Sequence, residues 1–189
     1  INGHSDVFMV VLALNDKVLF EKLQFLRNAV GAIPSPFDSW LAHRGLKTLH
    51  LRVKQASESA LKIATFLENT TDKVIAVNYP GLKSHPQNAV VQKQHRNGLG
   101  GGMISFRIKG GAEAAAKFSS STRLFTLAES LGGIESLLEV PAVMTHGGIP
   151  KESREASGVY DDLVRLSVGI EDVEDLLEDI KQALNAASA

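Results

Sequence analysis

Leu163-Val164-Arg165-Leu166-Ser167-Val168-Gly169-Ile170-Glu171-Asp172-Val173-Glu174-Asp175-Leu176-Leu177-Glu178-Asp179-Ile180 holds two periodicities in sequence. Residues 163–168 are almost wholly apolar and bounded by a glycine, which predicts a buried strand. From Val173 the spacing changes, because Val173, Leu176, Leu177, Ile180 and Leu184 fall on one helical stripe. Glu171, Asp172, Glu174 and Asp175 are read as first-turn acids that complement the helix dipole, not as metal ligands.

Working back along the chain, residues 74–77, 103–108 and 124–127 read as further short strands with helical stretches between them. Strands alternating with helices predict an α/β or α+β sandwich. Residues 7–14 form another apolar run, read as a strand buried within a parallel sheet. A helix is expected next, with Leu19, Leu23, Leu26 and Val30 on one face, Asn15 or Asp16 as its cap and Gly31 as its stop. The Pro34 and Pro36 stretch breaks that helix. A long helix, or two joined ones, is predicted around residues 40–67 and expected to connect two domains. One strand and one helix cannot bury their own apolar faces, so residues 1–46 read as the remnant of a larger domain, with residues 47–189 as a smaller α/β domain.

Composition narrows the function classes. The 189 residues are 44% hydrophobic and 22% charged with a formal net charge of −1, a balance typical of globular domains. Lys and Arg are scattered along the chain, so no cationic stripe is available for a nucleic acid. The apolar run at 7–14 is too short to cross a bilayer and no charged leader is read at the start, so a cytoplasmic location is expected. The absence of cysteine removes disulfides, thiolate nucleophiles and iron–sulfur ligation. The chain opens on Ile1 within an ordered-looking pattern, which is read as a sign of a fragment.

Several constellations invite chemistry. His4, His43, His50, His85, His95 and His146 lack the spacing of a zinc motif, so no metal site is expected. His4-Ser5-Asp6 contains triad residue types, but no nucleophile elbow accompanies it. Gly98, Gly100, Gly101 and Gly102 precede a strand, whereas a dinucleotide fingerprint follows one, so they read as a tight turn beside another backbone. Arg165 is the informative residue. A guanidinium in an apolar strand needs an anionic partner, either a structural Glu or Asp or the α-carboxylate of an amino acid, and pattern alone ranks the structural pair first. Glu129, before Ser130-Leu131-Gly132-Gly133, reads on pattern as a surface glutamate.

The segments Asn2-Gly3-His4-Ser5-Asp6, Ser35-Pro36-Phe37-Asp38, Arg44-Gly45-Leu46-Lys47-Thr48-Leu49, Tyr79-Pro80-Gly81-Leu82, Gly101-Gly102-Met103, Met144-Thr145-His146 and Arg165-Leu166-Ser167-Val168-Gly169 occur in an order that resembles the Cys/Met-metabolism enzymes using pyridoxal phosphate. The resemblance implies the aspartate-aminotransferase-like fold type I and its C-terminal half, made of the end of the large domain and the small α/β domain. It also implies a carbon–sulfur lyase active on small amino-acid substrates, in a homotetramer. Within the family, Phe125-Thr126-Leu127-Ala128-Glu129-Ser130-Leu131-Gly132-Gly133 resembles the γ-lyases that act on cystathionine. Sister γ-synthases and β-lyases, and a non-catalytic binding or oligomerisation role, stand as alternatives.

Carried over residue by residue, the resemblance makes Arg165 the bidentate partner of the substrate α-carboxylate, Ser130 a neighbour of that carboxylate, and Glu129 the group facing the distal ammonium. It reverses the ranking that pattern alone gave Arg165. The lysine that binds pyridoxal 5'-phosphate covalently is expected two residues before Ile1. The chain as written, lacking it, is expected to be inactive alone.

Overall fold

The computed structural model describes residues 1–188, which form two compact units, one of Ile1–Leu49 and one beginning at His50. In the first unit, α1 (Lys17–Val30) starts where Asp16 accepts from the Leu19 amide at 2.9 Å and stops at Gly31, whose φ is 73°. Asp16 thereby satisfies one of the amides that an α-helix leaves open at its start, and glycine tolerates the left-handed turn that closes it. Helix α2 (Pro36–Leu46) begins with proline at a position that needs no amide donor, and the Ser35 hydroxyl accepts from Asp38 N at 3.0 Å.

One expectation for this region is corrected and another is met. Residues 7–14 find no ladder partner among the described residues and are largely exposed, Phe8 at 90%. A strand meant for the middle of a parallel sheet needs neighbours on both sides, and the unit supplies none. Of the two forms expected for residues 40–67, one long helix or two joined ones, the structure has the second: α2 ends and α3 (Leu49–Asn69) begins after a tightened turn. There the Lys47 and Thr48 amides reach back only three residues, to Arg44 O and Gly45 O, at 3.3 and 3.2 Å.

The second unit is built on a five-stranded sheet. Its strands are β1 (Val74–Asn78), β2 (Met103–Ile108), β3 (Thr126–Leu127), β4 (Leu137–Glu139) and β5 (Leu163–Ser167). The spatial order is β1-β2-β5-β4-β3, antiparallel throughout except for the β3–β4 pair. Helices α4 (Asn88–Gln94), α5 (Gly111–Ser121), α6 (Lys151–Ala156) and α7 (Val173–Ala187) complete it. The strand expected at 124–127 is only two residues long. The β4 strand was not anticipated, since three residues ahead of Pro141 are too few to show a period.

Strand pleating sends Ile104, Phe106 and Ile108 of β2 and Val164 and Leu166 of β5 to one face. That face meets Ile63 and Leu67 of α3, Phe118 of α5, and Leu176, Ile180 and Leu184 of α7, all buried in one core. Phe106 and Phe118 meet edge to face, with centroids 5.4 Å apart. The opposite face of the same strands carries Met103, Ser105 and Arg107 on β2 and Leu163, Arg165 and Ser167 on β5. The site lies there.

Candidate functional site

Period-two alternation in β5 buries Val164 and Leu166 and turns Arg165 to the other face, between Ser105 of β2 and Glu139 of β4, its cross-strand neighbours. Every group around its guanidinium follows from that register. Nη1 forms an ion pair with Glu139, whose side chain is 0% exposed, while the Arg165 side chain is 21% exposed. Nη2 donates to the carbonyl oxygens of Glu129 at 2.8 Å and Ser130 at 3.2 Å. Nε is buried and has no hydrogen-bond partner, so one donor of the fork stands unused.

Glu139 is held in turn. Thr145 donates its hydroxyl and, at 3.3 Å, its amide to Glu139 Oε1. Because the Thr145 proton is committed to that carboxylate, its oxygen accepts from Nδ1 of His146 at 2.8 Å. The chain of contacts therefore runs His146, Thr145, Glu139, Arg165.

The loop that presents Glu129 and Ser130 is tied down by the segment after β5. Gly132 N donates to Ser167 Oγ at 2.7 Å and Ile170 N to Ile134 O at 2.9 Å. Glu171 takes the Ser136 amide at 2.6 Å and the Ser136 hydroxyl at 2.8 Å, and Ser136 Oγ accepts from Gly169 N at 2.9 Å. A Cβ on Gly169 would collide with Ile134 O, so only glycine permits this approach. Glu171 is thus a loop anchor outside α7, which corrects its reading as a first-turn acid. Glu174 and Asp175 do lie in that turn, and Asp172 caps the helix by accepting from Glu174 N at 2.8 Å.

A cleft of about 410 Å³ opens on this face, with Asn78, Ser105, Thr145, His146 and Arg165 among its walls. Its rim is fixed by Tyr79, which is fully buried and donates to Gly101 O at 2.9 Å and Ser57 O at 3.2 Å. Burial pushes the Tyr79 hydroxyl up to about 12. The glycine-rich turn beside it brings Gly102 against β5: a Cβ there would lie 2.9 Å from Val168 O, and Val168 N donates to Gly102 O at 2.8 Å. On the flank of the cleft, Arg107 makes two hydrogen bonds to Asp162, at 2.7 and 2.9 Å, and lies 3.8 Å over the Tyr160 ring. The Asp162 contact raises the guanidinium's already high pKa.

The three residues singled out from sequence meet unequally. Arg165 touches Glu129 and Ser130 through their backbone carbonyls, while the Glu129 side chain is exposed. The structural partner that pattern ranked first for Arg165 is present as Glu139. Sequence reasoning gave no role to Glu139 or Thr145, because their value depends on the β4–β5 register. Among the described residues no group of His, Asp or Glu forms a metal cluster, and no helix is long and apolar enough to cross a membrane.

Comparison with known proteins gives a consistent result. The family described as Cys/Met metabolism PLP-dependent enzyme matches residues 1–185. Cystathionine gamma-lyase of Saccharomyces cerevisiae is 78% identical over 188 residues, covering 100% of this chain and 48% of that protein. The Dictyostelium discoideum enzyme of the same name is 53% identical over 185 residues, covering 98% and 47%. The crystal structure of the yeast enzyme superposes with a TM-score of 0.97 over 100% of this chain and 48% of its own. That of metB from Corynebacterium glutamicum gives 0.83 at 50% identity, covering 97% and 46%. The chain spans about half the length of the curated relatives it matches, and its fold is that of the pyridoxal-phosphate lyases of fold type I.

Proposed function

The chain belongs to the Cys/Met metabolism PLP-dependent enzymes, and on that premise we propose that it is the C-terminal half of a cystathionine γ-lyase. The complete enzyme converts cystathionine and water to cysteine, 2-oxobutanoate and ammonia. The observation that carries the reading is Arg165, a guanidinium held between two strands at a cleft with its Nε free of protein partners.

Arg165 is the one permanently charged residue among those named in the cleft wall, which fits a single carboxylate. A phosphate and a pyridine nitrogen need anchors of their own. We place those, and the lysine expected two residues before Ile1, outside this chain. Pyridoxal phosphate, when bound, supplies the electron sink that acidifies the substrate Cα–H bond. Arg165 fixes the substrate carboxylate, and the Ser130 segment sits beside it because its carbonyl is already bonded to Nη2. The exposed Glu129 carboxylate is free to meet the distal ammonium of cystathionine, which a shorter thiol lacks. Residues 1–46 belong, in this reading, to the large cofactor-binding domain, and the whole protein to a cytoplasmic homotetramer.

The test is a keto-acid assay on the full-length, pyridoxal-phosphate-loaded protein. Release of 2-oxobutanoate from cystathionine is expected, and its absence would sink the reading. Arg165→Ala is expected to raise KM and lower kcat, reducing kcat/KM by about 10²-fold or more, the scale of a lost charge-assisted anchor. Glu129→Ala is expected to shift preference from cystathionine toward shorter thiols while cofactor absorbance is kept.

A further inference from the structure

Arg165 does not stand as a bare cation. Glu139 lies directly across the β4–β5 ladder from it, fully buried and ion-paired to Nη1. Two carbonyl oxygens take Nη2. Nε is buried and has no hydrogen-bond partner, and the side chain as a whole is 21% exposed, so the guanidinium keeps donor capacity for a ligand. We propose that Glu139, latched by Thr145, is a positioning residue for Arg165: it fixes the plane of the guanidinium and neutralises its charge, so that a carboxylate ligand meets an oriented donor edge rather than an unpaired cation. This rests on the reading of Arg165 as the carboxylate anchor.

The physics sets the sign of each substitution. A ligand carboxylate on the free edge stands about one guanidinium width, roughly 6 Å, from the Glu139 carboxylate, and the two repel. At a protein-like effective dielectric that repulsion is worth about a hundredfold in affinity, reduced to about tenfold by water at the cleft mouth. Glutamine at position 139 keeps the side chain's size and one of its two oxygens, and removes the charge. Freed of that repulsion, the anchor binds carboxylates more tightly. Thr145 acts in the opposite sense. Its hydroxyl proton draws on Oε1 of Glu139, so without that bond the carboxylate gives all its charge to the guanidinium and the anchor weakens.

The experiment uses the full-length, pyridoxal-phosphate-loaded protein and two simple amines, glycine and methylamine. Their dissociation constants are read from the change in cofactor absorbance as each is added. Glycine carries the α-carboxylate and methylamine lacks it, so the ratio of methylamine to glycine constants isolates the anchor from amine chemistry and from turnover. Glu139→Gln is expected to raise the ratio about tenfold, equivalent to about 1.4 kcal/mol. Thr145→Val is expected to lower it about threefold, because the lost hydroxyl bond acts on the anchor only through Glu139, and Thr145→Ser to restore it. A glutamate that only braced the fold would leave the ratio unmoved.

An unchanged or lowered ratio in Glu139→Gln, with methylamine bound normally, overturns the inference. If that variant fails to fold, Thr145→Val decides, and an unchanged ratio there overturns it equally. A ratio that Arg165→Ala leaves unaltered removes the anchor itself, and the inference with it. Ratios that move as expected in a protein releasing no 2-oxobutanoate support the inference and overturn only the lyase reading.

Discussion

The unit Ile1–Leu49 and the unit beginning at His50 carry apolar side chains at the same helical spacing, with opposite outcomes. The stripe of α1 ends with no buried residue, and Phe25 and Val30 stand 70% and 75% exposed. The stripe of α7 ends with Leu176, Ile180 and Leu184 buried against a sheet and two other helices. Both helices are well capped, so capping and periodicity form a helix without deciding whether its apolar face finds cover. In the first unit, Val10, Leu12, Phe20 and Leu23 line an apolar groove. Under the proposed function, the rest of the large domain fills it.

The largest expected contrast is between two phenylalanines. Phe118→Ala, in the closed core, is expected to destabilise the chain by about 3–5 kcal/mol, whereas Phe25→Ala is expected to change it by less than about 0.5 kcal/mol, both by denaturant unfolding. Equal costs would break the comparison. It is sharpened by repeating Phe25→Ala in the full-length protein, where burial of the groove is expected to bring the cost into the range of ordinary core truncations.

Asp179 comes next. It is buried on α7 and accepts the amides of Arg123, Leu124 and Phe125 at 2.8, 2.8 and 3.2 Å, which joins the last helix to the segment entering β3. Asp179→Asn places amide hydrogens against amide donors and is expected to cost about 2–3 kcal/mol in the same measurement.

Tyr79→Phe is expected to cost about 1–2 kcal/mol for its two buried hydrogen bonds. It carries a pH signature as well. The hydroxyl is raised from 10.0 to about 12, so the folded state keeps its proton while the unfolded chain loses it. Stability that is full below pH 10 is therefore lost as pH rises toward 12, and Tyr79→Phe is expected to flatten that alkaline limb by roughly 2–3 kcal/mol.

The smallest effect is expected at the surface of the second unit, where Asp161 bonds Lys151 and Arg154 at 2.6 and 2.7 Å. Those cations hold its pKa below the ordinary 3.8, the Lys151 hydrogen bond most of all. The stability it supplies is present above pH 3.8 and lost as pH falls through the depressed value. Asp161→Asn is expected to blunt the acid limb only slightly, and less in high salt, because the pair is screened by solvent.

The sequence was legible wherever a local rule sufficed. Asp16 and Gly31 bounded α1, the alternation around Arg165 located β5, and the stripe at Val173 began α7 on the residue expected. Where the outcome depends on neighbours it was not legible, as with residues 7–14, which have the composition of a buried strand and pair with no other strand among the described residues. Glu171 looked like a helix acid because it sits two residues before α7, but its oxygens were claimed by Ser136, which lies far away in sequence.

The candidate site divides along the same line. By its own pattern the sequence determined that Arg165 is a charged side chain in an apolar strand and must meet an anion, since burying an unpaired charge is too costly. Which anion it meets was decided only by tertiary structure. Register pairs β5 with a three-residue strand that has no visible period, and it sets Glu139 at one edge of the guanidinium and the Glu129 and Ser130 carbonyls at another. Local sequence fixes what a side chain needs, because propensity and charge act over a few residues, whereas strand pairing brings together groups that sequence holds far apart.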